Sequence, residues 1–481
     1  MKHLAESVSV PRFLVSAAHK SSGKTTVATA LAAAFRRRGQ VVQTCKKGPD
    51  YIDPMWLAAA SGRACRNLDP YLQSFEEIAA LFARVAREAD LAIIEGNKGL
   101  HDGLALDGSN SSAALAKALA LPVILVLDAR GMTRGIAPLL LGQQAFDREL
   151  NIAGVILNRV SGKRHEAKLR AVIEAYCQVP VLGAIGNDPR LAITERHLGL
   201  VPSNECCEAE ARIAAMAQAI EEQVDLAAVL KLAGNAAPLV LPRGAGNLAR
   251  LPTRRRLRIG IARDAAFGFY YADDLEALEH AGCQLVAFDS LRDARLPEVD
   301  GLFLGGGFPE SFLIELEANT SLREELRLAI DAGLPVYAEC GGLMYLARSL
   351  SWKGRSARMV GAIPADAVMH ERPVGRGYVH LRETAAHPWP LGGQGGATLR
   401  AHEFHYSSLE NLAPGLKFAY EVERGYGIDG RHDGLVYHNL LASYSHRRNA
   451  GADHWAQAFA AFVARHTVRS QAPRPRRQAG G

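Results

Sequence analysis

Two widely separated stretches of the chain have residue types and spacings that could do chemistry. Residues 18–25 read Ala-His-Lys-Ser-Ser-Gly-Lys-Thr, and residues 335–342 read Pro-Val-Tyr-Ala-Glu-Cys-Gly-Gly. The first has the glycine, lysine and hydroxyl of a loop that cradles nucleotide phosphates. The second places a thiol between a short apolar run and two glycines, which is typical of an exposed nucleophile at a sharp turn. A phosphate-activating site and a glutaminase-like cysteine in one polypeptide together indicate ATP-dependent amide formation.

The phosphate loop lies between a predicted strand at 13–16 and a predicted helix at 27–38. In that setting backbone N–H groups and the helix N-terminus attract phosphate, Lys24 neutralises phosphate charge and Thr25 can hold Mg²⁺. Lys20 fits a variant loop in which a second lysine contacts phosphate, and a solvated loop lysine is the alternative. The residues expected to bind ATP are Lys20, Ser22, Gly23, Lys24, Thr25 and Thr26.

Two acidic segments, 47–54 and 94–103, are expected to supply the metal and acceptor-handling groups. Glu95 directly follows an apolar run, at the carboxyl end of a predicted strand, where open α/β sheets build their sites. The aspartates lie in loops bounded by glycine or proline, where carboxylates bind metal, orient an acceptor or cap turns. The expected Mg²⁺ ligands are Thr25, Glu95 and Asp50. The residues expected to handle the acceptor are Asp50, Tyr51, Asp53 and Asp102.

Cys340 lies at a predicted junction of strand, turn and helix, where a helix N-terminus stabilises a thiolate. A small buried hydrophobe is the alternative for a lone cysteine. His446 follows a short apolar segment and is the histidine chosen as general base. His402 and His405 are alternatives, but their spacing is not that of a zinc-protease helix. The backbone donors expected to stabilise the oxyanion belong to Gly306, Gly307 and Gly341.

Apolar runs alternate with amphipathic segments in both halves of the chain, which predicts α/β folds with parallel sheets covered on both faces. The stretch around 235–256 is rich in Gly, Pro and Arg and is the best linker candidate. The runs are 13–17, 91–95, 123–128, 152–158 and 180–185, then 257–262, 284–288, 301–304 and 335–338. The predicted organisation is a first domain at 11–235, a linker at 236–256, a second domain at 257–466 and a disordered basic tail at 467–481.

Composition narrows the class of protein. The 481 residues are 48% hydrophobic and 22% charged, which is typical of two soluble globular domains. A net charge of +6 is small for this length, so nucleic-acid binding is not expected. The seven cysteines lack paired metal spacing, and their odd number argues against a disulfide framework. No apolar stretch reaches the roughly 18 residues of a membrane span, so a cytoplasmic location is expected.

Taken in order, the motifs resemble the cobyrinate a,c-diamide synthase family over about residues 11–466. The resemblance implies an N-terminal P-loop domain related to dethiobiotin synthetase and a C-terminal class I glutamine amidotransferase-like domain. It implies that Cys340 is the glutaminase nucleophile and His446 its activating base, with no firmly assigned third acid. The segments that carry the resemblance are 21–26, 47–54, 95–96, 99–103, 305–310, 338–342, 402–407 and 442–446.

The resemblance also implies a reaction. ATP and Mg²⁺ would activate tetrapyrrole carboxylates as acyl phosphates, and ammonia released from L-glutamine would then attack them. In this family the modified groups are the a and c acetates of cobyrinate, and ammonia follows an internal route. A homodimer, without nucleic acid or membrane partners, is the expected assembly.

The sequence is also compatible with other acceptors and other functions. The chain has Arg-Arg-Asn at 447–449 where the family commonly has another histidine and an aromatic residue. Because related enzymes amidate hydrogenobyrinate, sirohaem or nickel-sirohydrochlorin, one of these is an alternative acceptor. A non-enzymatic alternative is a P-loop ATPase switch with a degenerate amidotransferase-like binding domain. Carboxylation of the biotin-pathway type would use the first half alone.

Overall fold

A computed structural model describes residues 7–193, 195–196, 199–205, 208–241, 256–391 and 396–470. The chain divides into two compact units, Met1–Asn247 and Leu248–Gly481. Most of the predicted linker, most of the predicted tail and the Cys206-Cys207 pair lie outside the described residues.

Unit 1 alternates strands and helices along most of its length. Its strands are β1 (Ser7–Val8), β2 (Arg12–Ala17), β3 (Val42–Lys47), β4 (Arg66–Leu68), β5 (Leu91–Glu95), β6 (Val123–Asp128), β7 (Ile152–Val160), β8 (Val181–Gly186), β9 (Glu195–Arg196), β10 (Gly199–Leu200) and β11 (Leu239–Val240). Its helices are α1 (Lys24–Arg37), α2 (Ile52–Ser61), α3 (Phe75–Ala86), α4 (Ser112–Ala118), α5 (Ile136–Phe146), α6 (Lys163–Cys177), α7 (Ala209–Gln223) and α8 (Leu226–Gly234).

The core of unit 1 is a seven-stranded sheet in the order β4-β3-β5-β2-β6-β7-β8, in which every pairing is parallel. Along β2, Leu14 packs in one hydrophobic cluster while Phe13 and Val15 pack in another, so both faces are covered. Parallel strands end at a common edge of the sheet. The loops after β2, β3, β5 and β7 therefore meet there.

The sequence pattern did not predict β3. All six of its residues are buried, yet it contains Gln43, Thr44, Lys46 and Lys47, which break the apolar run expected of such a strand. The Gln43 amide donates to the carbonyls of Thr44 and Ala64 at 2.9 and 3.0 Å. Internal hydrogen bonds therefore allow polar side chains in a covered strand.

A short antiparallel pair joins the first and last strands that the structure describes in unit 1. Ser7 is paired with Val240 and Val8 with Leu239, in strands β1 and β11. The segment 239–240, placed by the sequence pattern in the linker, therefore forms a strand within unit 1.

Unit 2 contains more strands than the sequence predicted. They are β12 (Leu257–Ala262), β13 (Phe267–Phe269), β14 (Cys283–Phe288), β15 (Gly301–Leu304), β16 (Gly306–Gly307), β17 (Val336–Glu339), β18 (Ala347–Trp352), β19 (Arg355–Arg358), β20 (Ile363–Met369), β21 (Gly375–Glu383), β22 (Thr398–His405), β23 (Ser407–Glu410), β24 (Lys417–Arg424), β25 (His432–Tyr437) and β26 (Leu440–Ser443). Its helices are α9 (Ala272–His280), α10 (Leu313–Ala318), α11 (Thr320–Asp331), α12 (Gly341–Leu346) and α13 (Trp455–Ser470).

The main sheet of unit 2 has nine strands in the order β14-β12-β15-β17-β26-β25-β24-β21-β22. The first five are parallel, and the remaining pairings are antiparallel. A separate four-stranded sheet has the order β19-β18-β20-β23. Strand β17 is central, with β15 and β26 as parallel neighbours, so the residues after β17 and β26 lie side by side.

At the carboxyl end, α13 continues through Ser470, into the segment expected to lack regular structure. Within the described part of the chain, no helix combines the length and apolar character needed to cross a bilayer.

Candidate active sites

The phosphate loop of unit 1 is held from the end of β7. Gly23 has φ 92°, in the left-handed region, and precedes the first residue of α1. A Cβ at this position would collide with the Asn158 amide, which donates to the Ser22 carbonyl at 2.8 Å. Glycine is required here by both backbone conformation and space. The loop is thereby fixed in a turn whose following N–H groups begin the helix.

Lys24 is buried at the start of α1, with 7% of its side chain exposed, and its Nζ lies 3.5 Å from the His19 carbonyl. Burial, and then the positive charge of Lys46, lower the pKa of Lys24 to about 8. Ser22 is also buried and donates to the His19 carbonyl at 2.9 Å. Lys20 is exposed, and Thr26 lies in the first turn of α1. The structure therefore places the predicted ATP-binding residues around one loop.

A buried lysine missing from the predicted site links the carboxylates beside this loop. Lys46 Nζ lies 2.6 Å from Asp53 Oδ2 and 2.8 Å from Glu95 Oε1. The Thr25 hydroxyl donates to the same Glu95 oxygen at 2.6 Å. Burial on its own lowers the pKa of Lys46, but the two carboxylates outweigh it and raise that pKa. Lys46 therefore stays charged.

The arrangement around Glu95 fits a bound Mg²⁺. Glu95 is fully buried, and its Oε2 has no hydrogen-bond partner among the described residues, so that oxygen is available as a ligand. Burial raises the pKa of Glu95 to about 7, although Lys46 lowers it. Thr25 and Glu95 would hold the ion, which commonly keeps waters and nucleotide phosphates as its other ligands.

The other predicted metal and acceptor residues lie on neighbouring loops. Asp50 Oδ1 accepts from the backbone N–H groups of Ile52 and Asp53 at 2.9 and 3.1 Å, so part of its role is to cap α2. Tyr51 is buried directly before α2, and Asp102 accepts from the Gly99 N–H at 2.9 Å. Asp50 is close enough to Lys46 to help raise its pKa. Asp102 acts against the lowering of the Lys24 pKa, but burial and Lys46 outweigh it.

In unit 2, Cys340 occupies a strained elbow between β17 and α12. Its φ is 45°, and its backbone N–H donates to the Ser443 carbonyl at 2.8 Å. A left-handed conformation in a residue other than glycine costs energy and is often kept at functional sites. Gly342 packs so closely on the Leu304 carbonyl that a Cβ there would collide. The surrounding structure therefore holds Cys340 in a tight turn, where only 8% of the residue is exposed.

His446 is the histidine that reaches Cys340. The two side chains are close enough for Cys340 to raise the pKa of His446, and His446 Nδ1 lies 3.1 Å from Glu339 Oε2. Burial on its own lowers the pKa of His446, but its contacts with Cys340 and Glu339 outweigh that effect and raise the pKa to about 10. Proton transfer between the thiol and the imidazole can therefore leave a thiolate paired with an imidazolium.

The glycine loop after β15 borders this pair. A Cβ on Gly306 would lie 2.9 Å from His446 Cε1, and one on Gly341 would lie 2.8 Å from the backbone nitrogen of Gly307. A Cβ on Gly307 would collide with the Ala266 carbonyl. The absence of side chains lets these backbone segments approach one another beside Cys340. The structure thus brings together all three glycines proposed for the oxyanion.

The two alternative histidines have other contacts. The ring of His402 stacks on His446, with centroids 4.9 Å apart, and the two backbones exchange hydrogen bonds. His405 stacks on Tyr444 at 3.9 Å and its Nδ1–H donates to the Ser407 carbonyl at 2.8 Å. His402 therefore contacts His446 directly, whereas His405 packs on Tyr444.

Two family models match the chain. The CobQ/CobB/MinD/ParA nucleotide binding domain matches residues 14–201. The CobB/CobQ-like glutamine amidotransferase domain matches residues 258–452. The first model covers the phosphate loop and its carboxylates, and the second covers Cys340 and His446.

Curated relatives match almost the whole chain. A protein of Magnetococcus marinus named cobyrinate a,c-diamide synthase is 48% identical, over 94% of this chain and 97% of its own length. A protein of Methanosarcina acetivorans with the same name is 41% identical, over 92% of this chain and 93% of its own. The chain belongs to the cobyrinate a,c-diamide synthase family. Membership confirms the α/β fold predicted from the sequence, with the nucleotide-binding domain preceding the amidotransferase domain.

The departure after His446 from the common pattern of this family has a structural explanation. Arg447 is buried and pairs with Asp453 at 2.5 Å, and its Nη1 donates to the Tyr420 hydroxyl at 2.9 Å. Arg448 pairs with Asp273 at 2.9 Å. Both arginines point their charges at acids in unit 2, so they anchor the segment that carries the histidine.

The sequence reasoning missed three residues of the site. Lys46, Asn158 and Glu339 each lie at or near the carboxyl end of a parallel strand, where sites in such sheets form. For Lys46 and Asn158 that position was a usable signal once β3 and β7 were recognised. Glu339 lies directly before the predicted nucleophile, but sequence alone does not show that its side chain reaches His446.

Proposed function

We propose that this chain uses ATP and L-glutamine to convert the a and c acetate carboxylates of cobyrinate into amides. The observation that carries the proposal is the presence in one chain of a phosphate loop backed by Thr25 and Glu95 and of a thiol, Cys340, beside His446. The name shared by relatives of nearly full length supports cobyrinate as the acceptor.

In unit 1, the loop would bind the ATP phosphates through the N–H groups that begin α1 and through the Lys24 ammonium. When bound, Mg²⁺ would neutralise charge on the phosphates. Asp50, Tyr51, Asp53 and Asp102 surround this edge and would orient the acceptor. The acceptor carboxylate would attack the γ-phosphorus, releasing ADP and leaving an acyl phosphate.

In unit 2, the Cys340 thiolate would attack the side-chain carbonyl of glutamine, and its oxyanion would be held by amides of the glycine loop. His446, carrying the thiol proton, would donate it to the departing ammonia. Water would then hydrolyse the thioester to glutamate with His446 as base. Ammonia would displace phosphate from the acyl phosphate, which completes the amide.

The test is mass spectrometry of the purified full chain with ATP, Mg²⁺ and glutamine. The acceptors are cobyrinate, hydrogenobyrinate, sirohydrochlorin, nickel-sirohydrochlorin and sirohaem, offered separately. Double amidation of cobyrinate in preference to the others is the expected result. Preference for another macrocycle would support the proposed amidation reaction but would show that cobyrinate is not the acceptor.

Two further results would contradict the amidation itself. ATP turnover without amide formation on any macrocycle would favour a P-loop switch. Incorporation of bicarbonate without any need for ammonia would favour carboxylation of the biotin-pathway type.

A further inference from the structure

Glu339 places a buried carboxylate beside the proposed base. Its Oε2 lies 3.1 Å from His446 Nδ1, and only 2% of Glu339 is exposed. With Nδ1 engaged, Nε2 is the ring nitrogen left for the Cys340 thiol. The residues that directly follow His446 are two arginines, so the acid does not come from the segment that carries the base.

The carboxylate of Glu339 is itself fixed by two other donors. Its Oε1 accepts from the Tyr337 hydroxyl at 2.6 Å and from the Arg447 backbone N–H at 3.0 Å. Tyr337 and Glu339 share one face of β17, because side chains two apart on a strand point the same way. The Tyr337 ring stacks on Phe303 with centroids 5.4 Å apart. Glu339 therefore has a preset position before any substrate arrives.

We propose that Glu339 is the positioning residue of the glutaminase site: its carboxylate keeps the proton of His446 on Nδ1 and aims Nε2 at Cys340. This inference rests on the proposed roles of Cys340 and His446. A buried acid that accepts from the other nitrogen of a catalytic histidine fixes its tautomer and stabilises the imidazolium. Here acid and nucleophile are consecutive residues at the end of one strand.

The experiment compares Glu339→Gln, Glu339→Asp and the unmodified full chain in glutamine hydrolysis and in amidation driven by ammonium chloride. The glutamine amide can donate to Nδ1 and so favours the wrong tautomer. In Glu339→Gln, kcat for glutamine hydrolysis should fall by about 10²- to 10⁴-fold, while KM for glutamine changes little. Glu339→Asp should recover part of kcat, and ammonium-driven amidation should persist in both variants.

Glu383→Gln is the matched control, because Glu383 is another buried carboxylate of unit 2 that accepts from a backbone N–H, that of Leu391. It should leave kcat for glutamine near the unmodified value. Undiminished kcat in folded Glu339→Gln would overturn the positioning role alone. Loss of ammonium-driven amidation in both Glu339 variants would overturn it too, since it would mean a structural role. Absence of glutamine hydrolysis in the unmodified chain would instead overturn the proposed function on which the role of Glu339 rests.

Discussion

Lys46 shows how one buried cation can organise a phosphate site before nucleotide arrives. Its ammonium contacts both Asp53 and Glu95 and also the Gly96 carbonyl at 3.2 Å. Removing one member of a buried pair is costly, about 3–5 kcal/mol, because the remaining charges lose their compensation. Lys46 therefore joins two carboxylates close to the loop through one buried cation.

We expect Lys46→Met to abolish ATP-dependent amidation and to lower the melting temperature of the chain. The reason is that Glu95, which is buried, and Asp53, which is partly buried, lose the cation paired with them. Lys117→Met is the matched control, since Lys117 is partly exposed and pairs with Asp147 and Glu149 at the surface. Differential scanning calorimetry and amide formation measure the two effects. A Lys46→Met chain with normal stability and turnover would contradict this role.

His446 predicts the pH dependence of glutamine hydrolysis. Its contacts with Cys340 and Glu339 overcome burial and raise its pKa from 6.5 to about 10, so the ring stays protonated through neutral pH. Its other neighbour, His402, is kept neutral because burial, His446 and Arg448 lower the pKa of His402. The contribution of protonated His446 to the free energy of unfolding is fully present below its ordinary pKa of 6.5. It is lost as pH rises through about 10.

Accordingly, kcat for glutamine hydrolysis should stay level between about pH 7 and pH 9 and fall near pH 10, where the acid that protonates ammonia is lost. A pH–rate profile with a stability check at each pH measures this. A fall centred near the ordinary histidine pKa would show that the contacts with Cys340 and Glu339 do not govern the ring.

Among the secondary-structure elements of unit 2, the position of Cys340, the proposed nucleophile, depends on close contacts between glycine backbones. Gly307 in β16 is paired with Phe267 in β13 and faces the Ala266 carbonyl. The elbow at Cys340 meets this loop through Gly341. A shift of the loop would move the oxyanion donors away from the thiol.

Gly307→Ala should therefore reduce glutamine hydrolysis by at least about 10²-fold, the usual effect of losing one oxyanion donor. The added methyl would collide with the Ala266 carbonyl and displace the amide. Gly142→Ala is the control, because Gly142 lies in α5 with nothing within 4 Å of an added Cβ. Glutamine hydrolysis and ammonium-driven amidation are measured side by side. Equal glutamine turnover in the two variants would exclude the loop from the site.

The sequence predicted elements well where both faces of a strand are apolar. Runs such as Leu91–Glu95 and Val123–Asp128 coincide with strands of the structure. The antiparallel half of unit 2 was missed because its strands, such as β21, alternate buried and exposed residues. Side-chain partners such as Glu339 for His446 depend on how β17 and β26 lie beside each other, which no local pattern encodes.

At the scale of the whole molecule, the two sites should be separable by chemistry. Cys340→Ser should lose glutamine-dependent amidation by several orders of magnitude, since a serine hydroxyl is a far weaker nucleophile than a thiolate. The same variant should amidate the acceptor when ammonium chloride is supplied. Lys24→Ala should do the reverse, keeping glutamine hydrolysis and losing amidation from either source. Full glutamine-dependent activity in Cys340→Ser would show that another residue is the nucleophile.

The pairing of β1 with β11 bears on how this polypeptide could be rearranged. Since Ser7 lies opposite Val240, the first and last strands in the described part of the first unit are neighbours. Adjacent termini are the condition under which circular permutation and domain insertion are tolerated. A short bridge between these ends, with new termini cut in a surface loop, should therefore preserve the nucleotide site. Because β1 and β11 pair within unit 1, the synthetase and glutaminase halves could also be encoded by separate genes. The synthetase half would then keep this strand pair intact.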